Sequence, residues 1–117
     1  MESSFGALLR EKRRLAGISQ RDLAQKIGVD FSYISKLEND RLVPPAAETI
    51  VAICTMLEIP PEELLSAAGK IPSDVQRSIG GSQAAQHFLR EAKQLELSNE
   101  EWEQMLKSLH KLRGDDP

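Results

Sequence analysis

A chain of 117 residues has room for one compact domain and an appendage, but not for two full cores. With 40% apolar and 28% charged residues it has ordinary globular composition, which excludes wholesale disorder. The net charge of −3 argues at first against a nucleic-acid partner, yet residues 1–45 hold eight Lys/Arg against six Asp/Glu, while residues 46–117 hold seven against twelve. A basic front (+2) before an acidic rear (−5) is compatible with one DNA-facing surface on an acidic body. No apolar run approaches the roughly 18 residues of a membrane helix, and Met1 to Arg14 lacks a signal-peptide pattern, so a cytoplasmic location is expected.

In chain order, every stretch reads as helix and strand-like alternation never persists, which predicts an all-α fold. The first helix spans about Ser4 to Ala16, with Phe5, Leu8, Leu9 and Leu15 on or near one face, and Gly17 closes it. Ser19 caps a second helix, with Asp22 as a shortened capping-box partner and Leu23, Ala24 and Ile27 facing in. Gly28 supplies a tight turn. Asp30 caps a third helix through Asn39, which buries Ile34 and Leu37. Pro44 and Pro45 make Arg41 to Pro45 a loop. A fourth helix covers about Ala46 to Leu57, with Cys54 as a plain buried side chain. Pro61 starts a fifth helix, Glu62 and Glu63 favour its positive end, and Gly69 ends it.

After Gly69 the texture changes. Lys70 to Gly81 is a polar connector carrying at most a turn or two of helix. A sixth helix over Gln83 to Leu95 carries Ala85, Phe88, Leu89, Ala92 and Leu95 in register. Ser98 and Glu101 form a capping box that starts a last helix to about Arg113, and Gly114 to Pro117 is a frayed tail. The domain reading is therefore 1–69, connector 70–81, and a two-helix extension 82–117.

Residues 19–39, SQRDLAQKIGVDFSYISKLEN, carry the chemistry. Ala24 and Gly28 let two helices cross closely, and Ile18, Leu23, Val29, Ile34 and Leu37 lock the pair to the core. One face of the third helix is left free of packing duties: Phe31, Ser32, Ser35 and Lys36. A helix of this width fits the major groove.

From Phe5 to Gly69 the chain resembles the phage-repressor and Cro-like (XRE-type) helix-turn-helix transcription regulators. The matching residues include Arg13, Ser19–Gln20, Leu23–Ala24, Gly28–Val29, Ser32, Ile34–Ser35 and Leu37–Glu38–Asn39; Pro44, Thr49 and Glu63–Leu64–Leu65 continue the match. The resemblance implies a five-helix lambda-repressor-like domain binding double-stranded operator DNA, with no catalytic activity and no cofactor. It places Phe31, Ser32 and Lys36 where base-reading side chains fall. Gln20, Tyr33, Asn39 and Arg41 fall at phosphate-contacting positions, and Arg13 and Glu38 match a structural ion pair. Asp40 departs from the pattern, standing where glycine is usual and bringing a carboxylate near expected phosphates.

Other chemistries find no foothold. His87 and His110 lack metal-ligand neighbours at useful spacing, and phosphate-binding glycine loops and HExxH are absent. Some relatives carry a self-cleaving Ser–Lys domain, but that needs a β-rich unit of about a hundred residues, and the extension here is short and helical. Trp102, Met105, Leu109 and Leu112, with Leu106 beside them, form a short coiled-coil-like seam that is the expected homodimer interface, with folding back onto the front domain as the alternative. The leading reading is a dimeric repressor on a two-fold operator. The rival is a protein-interaction or antitoxin-like module that keeps the fold and has lost DNA readout.

Overall fold

The computed structural model describes residues 4–114, and eight helices account for the secondary structure among them. Helix α1 (Phe5–Leu15) is capped by Ser4, whose Oγ accepts the Ala7 N–H. Helix α2 (Gln20–Ile27) is capped by Ser19, and α3 (Phe31–Glu38) by Asp30. Helix α4 (Ala47–Leu57) starts at Ala46 without a side-chain cap, and α5 (Glu62–Ala68) begins after Pro61, which occupies the cap rather than the first helical position. The leading helices bury Phe5, Leu8 and Leu9 from α1, Leu23 and Ala24 from α2, and Ile34 and Leu37 from α3. Ile50, Ile53, Cys54 and Leu57 from α4 close over them with Leu64 and Leu65 from α5. Burial pushes the Cys54 thiol up to about 11, with the nearby Glu62 charge adding to the effect, so the group stays a protonated core side chain.

One expected core residue is on the wrong side. Leu15 is 77% exposed, and the inward position on its turn belongs to Arg13. Leu15 lies two residues beyond Arg13, or about 200° around the helix, so the same register that buries Arg13 turns Leu15 outward.

The polar stretch after Gly69 contains one short helix of about two turns. Ser73–Gly80 forms helix α6, with Ser73 held by its hydroxyl and its N–H on the Glu48 carboxylate. It buries no side chain fully: its short apolar stripe, Val75 and Ile79 one turn apart, is exposed at the first and half-buried at the second. The chain divides into two compact units between Gln76 and Arg77, inside α6 and within the 70–81 segment read as a connector.

The second unit contains α7 (Gln83–Leu95), capped by Ser82, and α8 (Asn99–Leu112), which carries the complete reciprocal box between Ser98 and Glu101. Asp22 occupies the equivalent site on α2 without closing such a box. Ala92 is the buried apolar residue of this unit among those described. Gly114, expected in a frayed tail, instead closes α8 with its N–H on the Lys111 carbonyl; Asp115 to Pro117 lie outside the described residues.

Close approach between α1 and the end of α3 rests on Gly6. A Cβ there would overlap the Leu37 carbonyl oxygen and come within 2.8 Å of the Glu38 carbonyl oxygen and 2.6 Å of Asp40 Oδ1. Two of these obstacles are backbone and cannot swing aside. We expect Gly6→Ala to destabilise the fold by about 1–3 kcal/mol, the usual cost of overpacking. Gly80→Ala, which meets nothing within 4 Å, serves as the contrast and is expected to be neutral or slightly stabilising. Urea unfolding of both variants checks the difference.

Candidate nucleic-acid interface

The α2–turn–α3 unit is built by local chemistry and fastened by burial. Gly28 adopts φ +76°, and the following Val29 N–H returns to the Ala24 carbonyl at 2.9 Å, closing α2 in the left-handed manner that glycine permits. Two residues later the Asp30 carboxylate accepts the Ser32 N–H at 3.0 Å and starts α3. Leu23 and Ala24 on one side and Ile34 and Leu37 on the other are buried, so the crossing is fixed by the core. What α3 presents outward is Phe31, Ser32 and Lys36. Ser35, read from the sequence as part of this free face, is half-buried, and its carbonyl accepts both the N–H and the side-chain Nδ2–H of Asn39. Tyr33 is also half-buried and packs against the core.

Behind this surface lies a buried carboxylate. Arg13 donates to Glu38 twice, Nε to Oε2 at 2.6 Å and Nη2 to Oε1 at 3.0 Å. Its remaining Nη1 donates to the Ile18 carbonyl at 2.9 Å, tying the turn before α2 to the same arginine. Gln20 Nε2 adds a bond to Glu38 Oε1 at 2.9 Å, and Arg10 reaches the same oxygen at 3.4 Å while its Nη2 donates to Asn39 Oδ1 at 2.7 Å. Residues of α1, α2 and the end of α3 thus converge on one side chain. No buried side-chain nitrogen or oxygen lacks a partner among the described residues.

The loop after α3 is anchored through Asp40. It takes the left-handed conformation at φ +57°, its N–H returning to the Leu37 carbonyl and that of Arg41 to the Lys36 carbonyl. That is the backbone state glycine supplies most cheaply. Here the carboxylate offsets the cost, accepting from Ser4 Oγ at 2.7 Å and from the Gly6 N–H at 3.0 Å, at the positive end of α1. Arg41, the next residue, is exposed.

The helix-turn-helix family model matches residues 9–64. Over 114 residues, 90% of this chain and 82% of the relative, the sequence is 32% identical to RghRB of Bacillus subtilis (strain 168), an uncharacterized HTH-type transcriptional regulator. The chain belongs to the helix-turn-helix transcriptional regulators. Among solved structures, the SinR protein–SinI protein complex aligns with TM-score 0.51 at 21% identity, covering 93% of this chain and 96% of that one. SinR in complex with DNA, the master regulator for biofilm formation, aligns with TM-score 0.49 at 28% identity, covering 52% of this chain and 97% of that one.

In this family member the residues of α2, α3 and the following loop singled out from sequence differ in their states of engagement. Ser32, Lys36 and Arg41 are exposed side chains, whereas Gln20 and Asn39 are already hydrogen-bonded into the Glu38 network. Two participants escaped sequence reasoning. Arg10 shares the inward edge of α1 with Arg13, three residues on, and that spacing was the available signal. Arg21 stacks its guanidinium over the Phe31 ring, 4.8 Å from the centroid, a contact no local spacing announces. No group of three or more His, Cys, Asp or Glu side chains among the described residues is placed to hold a metal ion, and no helix is long and apolar enough to cross a membrane.

Burial alone pushes the Glu38 carboxyl up, but hydrogen bonds from Arg13, Gln20 and Arg10, with the Arg13 charge, outweigh it and hold the group below its ordinary value of 4.5. The associated stability is complete above that value and is lost as pH falls through the lowered one. Glu38→Gln is expected to cost about 3 kcal/mol, because Arg13 is left buried and uncompensated. The same variant should lose the part of the acid-induced destabilisation that begins below about pH 4.5 in the parent chain. Thermal melts from pH 7 to pH 3 check both effects. Melting curves that coincide at pH 7 would mean that the pair contributes nothing.

Proposed function

We propose that this DNA-binding transcriptional regulator is a dimeric repressor, acting in the cytoplasm without any catalytic step, that reads a two-fold operator through α3. The observation that carries the reading is the contrast on α3: one side locked by Ile34, Leu37 and Glu38, the other offering Ser32 and Lys36 to solvent. In the major groove Lys36 donates to guanine O6 and N7, Ser32 meets a base-edge donor or acceptor, and Phe31 touches a thymine methyl. Gln20, Tyr33, Asn39 and Arg41 contact phosphates and set the register. Gln20 can do so without leaving Glu38, because a side-chain amide has two N–H donors and only one is used there. Network and phosphate grip are then one device: the buried carboxylate that holds α3 also aims the first side chain of α2.

The second unit supplies the two-fold. Trp102, Met105, Leu106, Leu109 and Leu112 are between 38% and 76% exposed, and with Phe88 all five line a groove of about 520 Å³. An apolar face of this extent is expensive to leave in water, and a second copy of the same face covers it. Two recognition helices must lie about 34 Å apart to enter successive major grooves, so paired second units give the front units a dedicated clasp. Occupied successive grooves block polymerase sterically.

Lys36→Ala is expected to weaken operator binding by about 1–3 kcal/mol and to relax preference at one base position per half-site. Gln20→Ala should weaken binding to all sequences about equally. Selection from a random duplex library, followed by titration at two salt concentrations, reads both; unchanged base preference in Lys36→Ala would exclude α3 as the reading helix. A nearly flat salt dependence would instead favour a protein-interaction module, since released counterions make phosphate contacts strongly salt-sensitive.

The double variant Trp102→Asp/Leu109→Asp should be monomeric at micromolar concentration in sedimentation, with the helical signal of the parent chain and reduced operator affinity. A variant that still dimerises would place the clasp elsewhere.

A further inference from the structure

Arg21 has no place in the motif assignments, yet it holds a defined position beside the reading helix. It is the second residue of α2, and its guanidinium lies 4.8 Å from the centroid of the Phe31 ring. Phe31 is the first residue of α3 and stays 40% exposed with the guanidinium beside it. Among the described residues no carboxylate lies within ion-pair distance of Arg21, and Asp30, the nearest acid in sequence to Phe31, is engaged with the Ser32 N–H. The aromatic face is therefore the restraint on this cation, and it leaves the guanidinium hydrogen-bond donors unused.

The place matters because in a helix-turn-helix the N-terminal residues of the second helix meet the base edges. A guanidinium stacked on the first residue of α3 sits at that end, instead of being spread along the backbone that the preceding helix crosses. Arginine is also the side chain best matched to guanine, whose O6 and N7 accept its planar fork in two parallel bonds. Stacking narrows the freedom of a long side chain before DNA arrives, so less is lost when the two bonds form. Phe31 then has two tasks at once: its ring surface orients the cation, and its exposed part is an apolar partner for a thymine methyl.

We propose that Arg21 is a base-reading residue for a guanine and that Phe31 is its positioning residue, the pair together favouring a thymine next to that guanine in each half-site. This rests on α3 entering the major groove, as inferred above.

The test uses the full chain and four variants, Arg21→Ala, Arg21→Lys, Phe31→Leu and the double variant Arg21→Ala/Phe31→Leu, each carried through selection from a random duplex library. Both residues are exposed, so the fold is not at stake, and circular dichroism verifies this. The parent chain should enrich a thymine–guanine step. Arg21→Ala and Arg21→Lys should each lower preference for that guanine by about 5- to 150-fold, since an ammonium cannot supply the planar fork. Phe31→Leu should weaken preference at the same guanine although the arginine is intact, and should have no further effect on it in the Arg21→Ala background. The proposal is overturned if Arg21→Ala lowers affinity equally for all sequences and Arg21→Lys restores it, which is the signature of a phosphate contact. It is equally overturned if Phe31→Leu alters only the thymine position. A parent chain that enriches no sequence would overturn the underlying groove reading and this proposal together.

Discussion

A carboxylate removed from water is among the costliest groups a small domain can hold, and here one sits at the end of the recognition helix with its side chain fully buried. Glu38 is tolerated because four donors converge on it: two from Arg13, one from Gln20 and a longer one from Arg10. Each donor belongs to a helix that must be correctly placed for its bond to form. Arg13 also reaches the Ile18 carbonyl, so the arginine on α1 senses both the end of α3 and the entry to α2. Replacing the pair with apolar residues of similar size need not lower stability. What apolar packing would not provide is direction: a bidentate guanidinium–carboxylate pair fixes angle as well as distance. Reading DNA depends on angle, since a recognition helix rotated about its axis presents the wrong side chains.

Asp40 shows the same economy at the next residue. The left-handed turn after α3 needs no side chain, and glycine would serve it with less strain. The carboxylate instead bonds to Ser4 and to the Gly6 N–H, turning a loop residue into a second cap for α1. It is thereby held within the front unit's own hydrogen bonding. Those two bonds fix the position of the carboxylate and leave its negative charge in place.

The helices were legible in the sequence wherever a cap and an apolar stripe agreed. Ser82 with Ala85, Phe88 and Ala92 marks α7 from Gln83 to Leu95, and Ser98 with Glu101 marks the start of α8. A cap was not required, since α4 and α5 start without one and were placed by their apolar residues and flanking prolines. Helix α6 has a stripe of two residues, Val75 and Ile79, too short to mark its bounds within a polar stretch. Leu15 looked like core because apolar residues usually are, but its register follows that of Arg13, and an arginine can be the inward residue only when a partner such as Glu38 awaits it. The candidate site was legible as a set of positions on the recognition helix and its flanks. Its states of engagement were not. That Gln20 and Asn39 are already bonded and that Arg21 rests on Phe31 are facts of three-dimensional meeting between residues ten or more apart in the chain.

Charge is divided along the chain as its tasks are: the excess of Lys and Arg lies in the segment holding the recognition helix, and the acidic excess lies in the part that carries the exposed apolar face of α8. Methylation protection of the protein–operator complex with dimethyl sulfate tests most directly whether the Glu38-held helix is what meets DNA, because it distinguishes guanine N7 in the major groove from adenine N3 in the minor groove. The expected result is two patches of protected guanine N7 on one face of the duplex, centred about 10 base pairs apart. Protection confined to adenine N3, or a single unpaired patch, would contradict it.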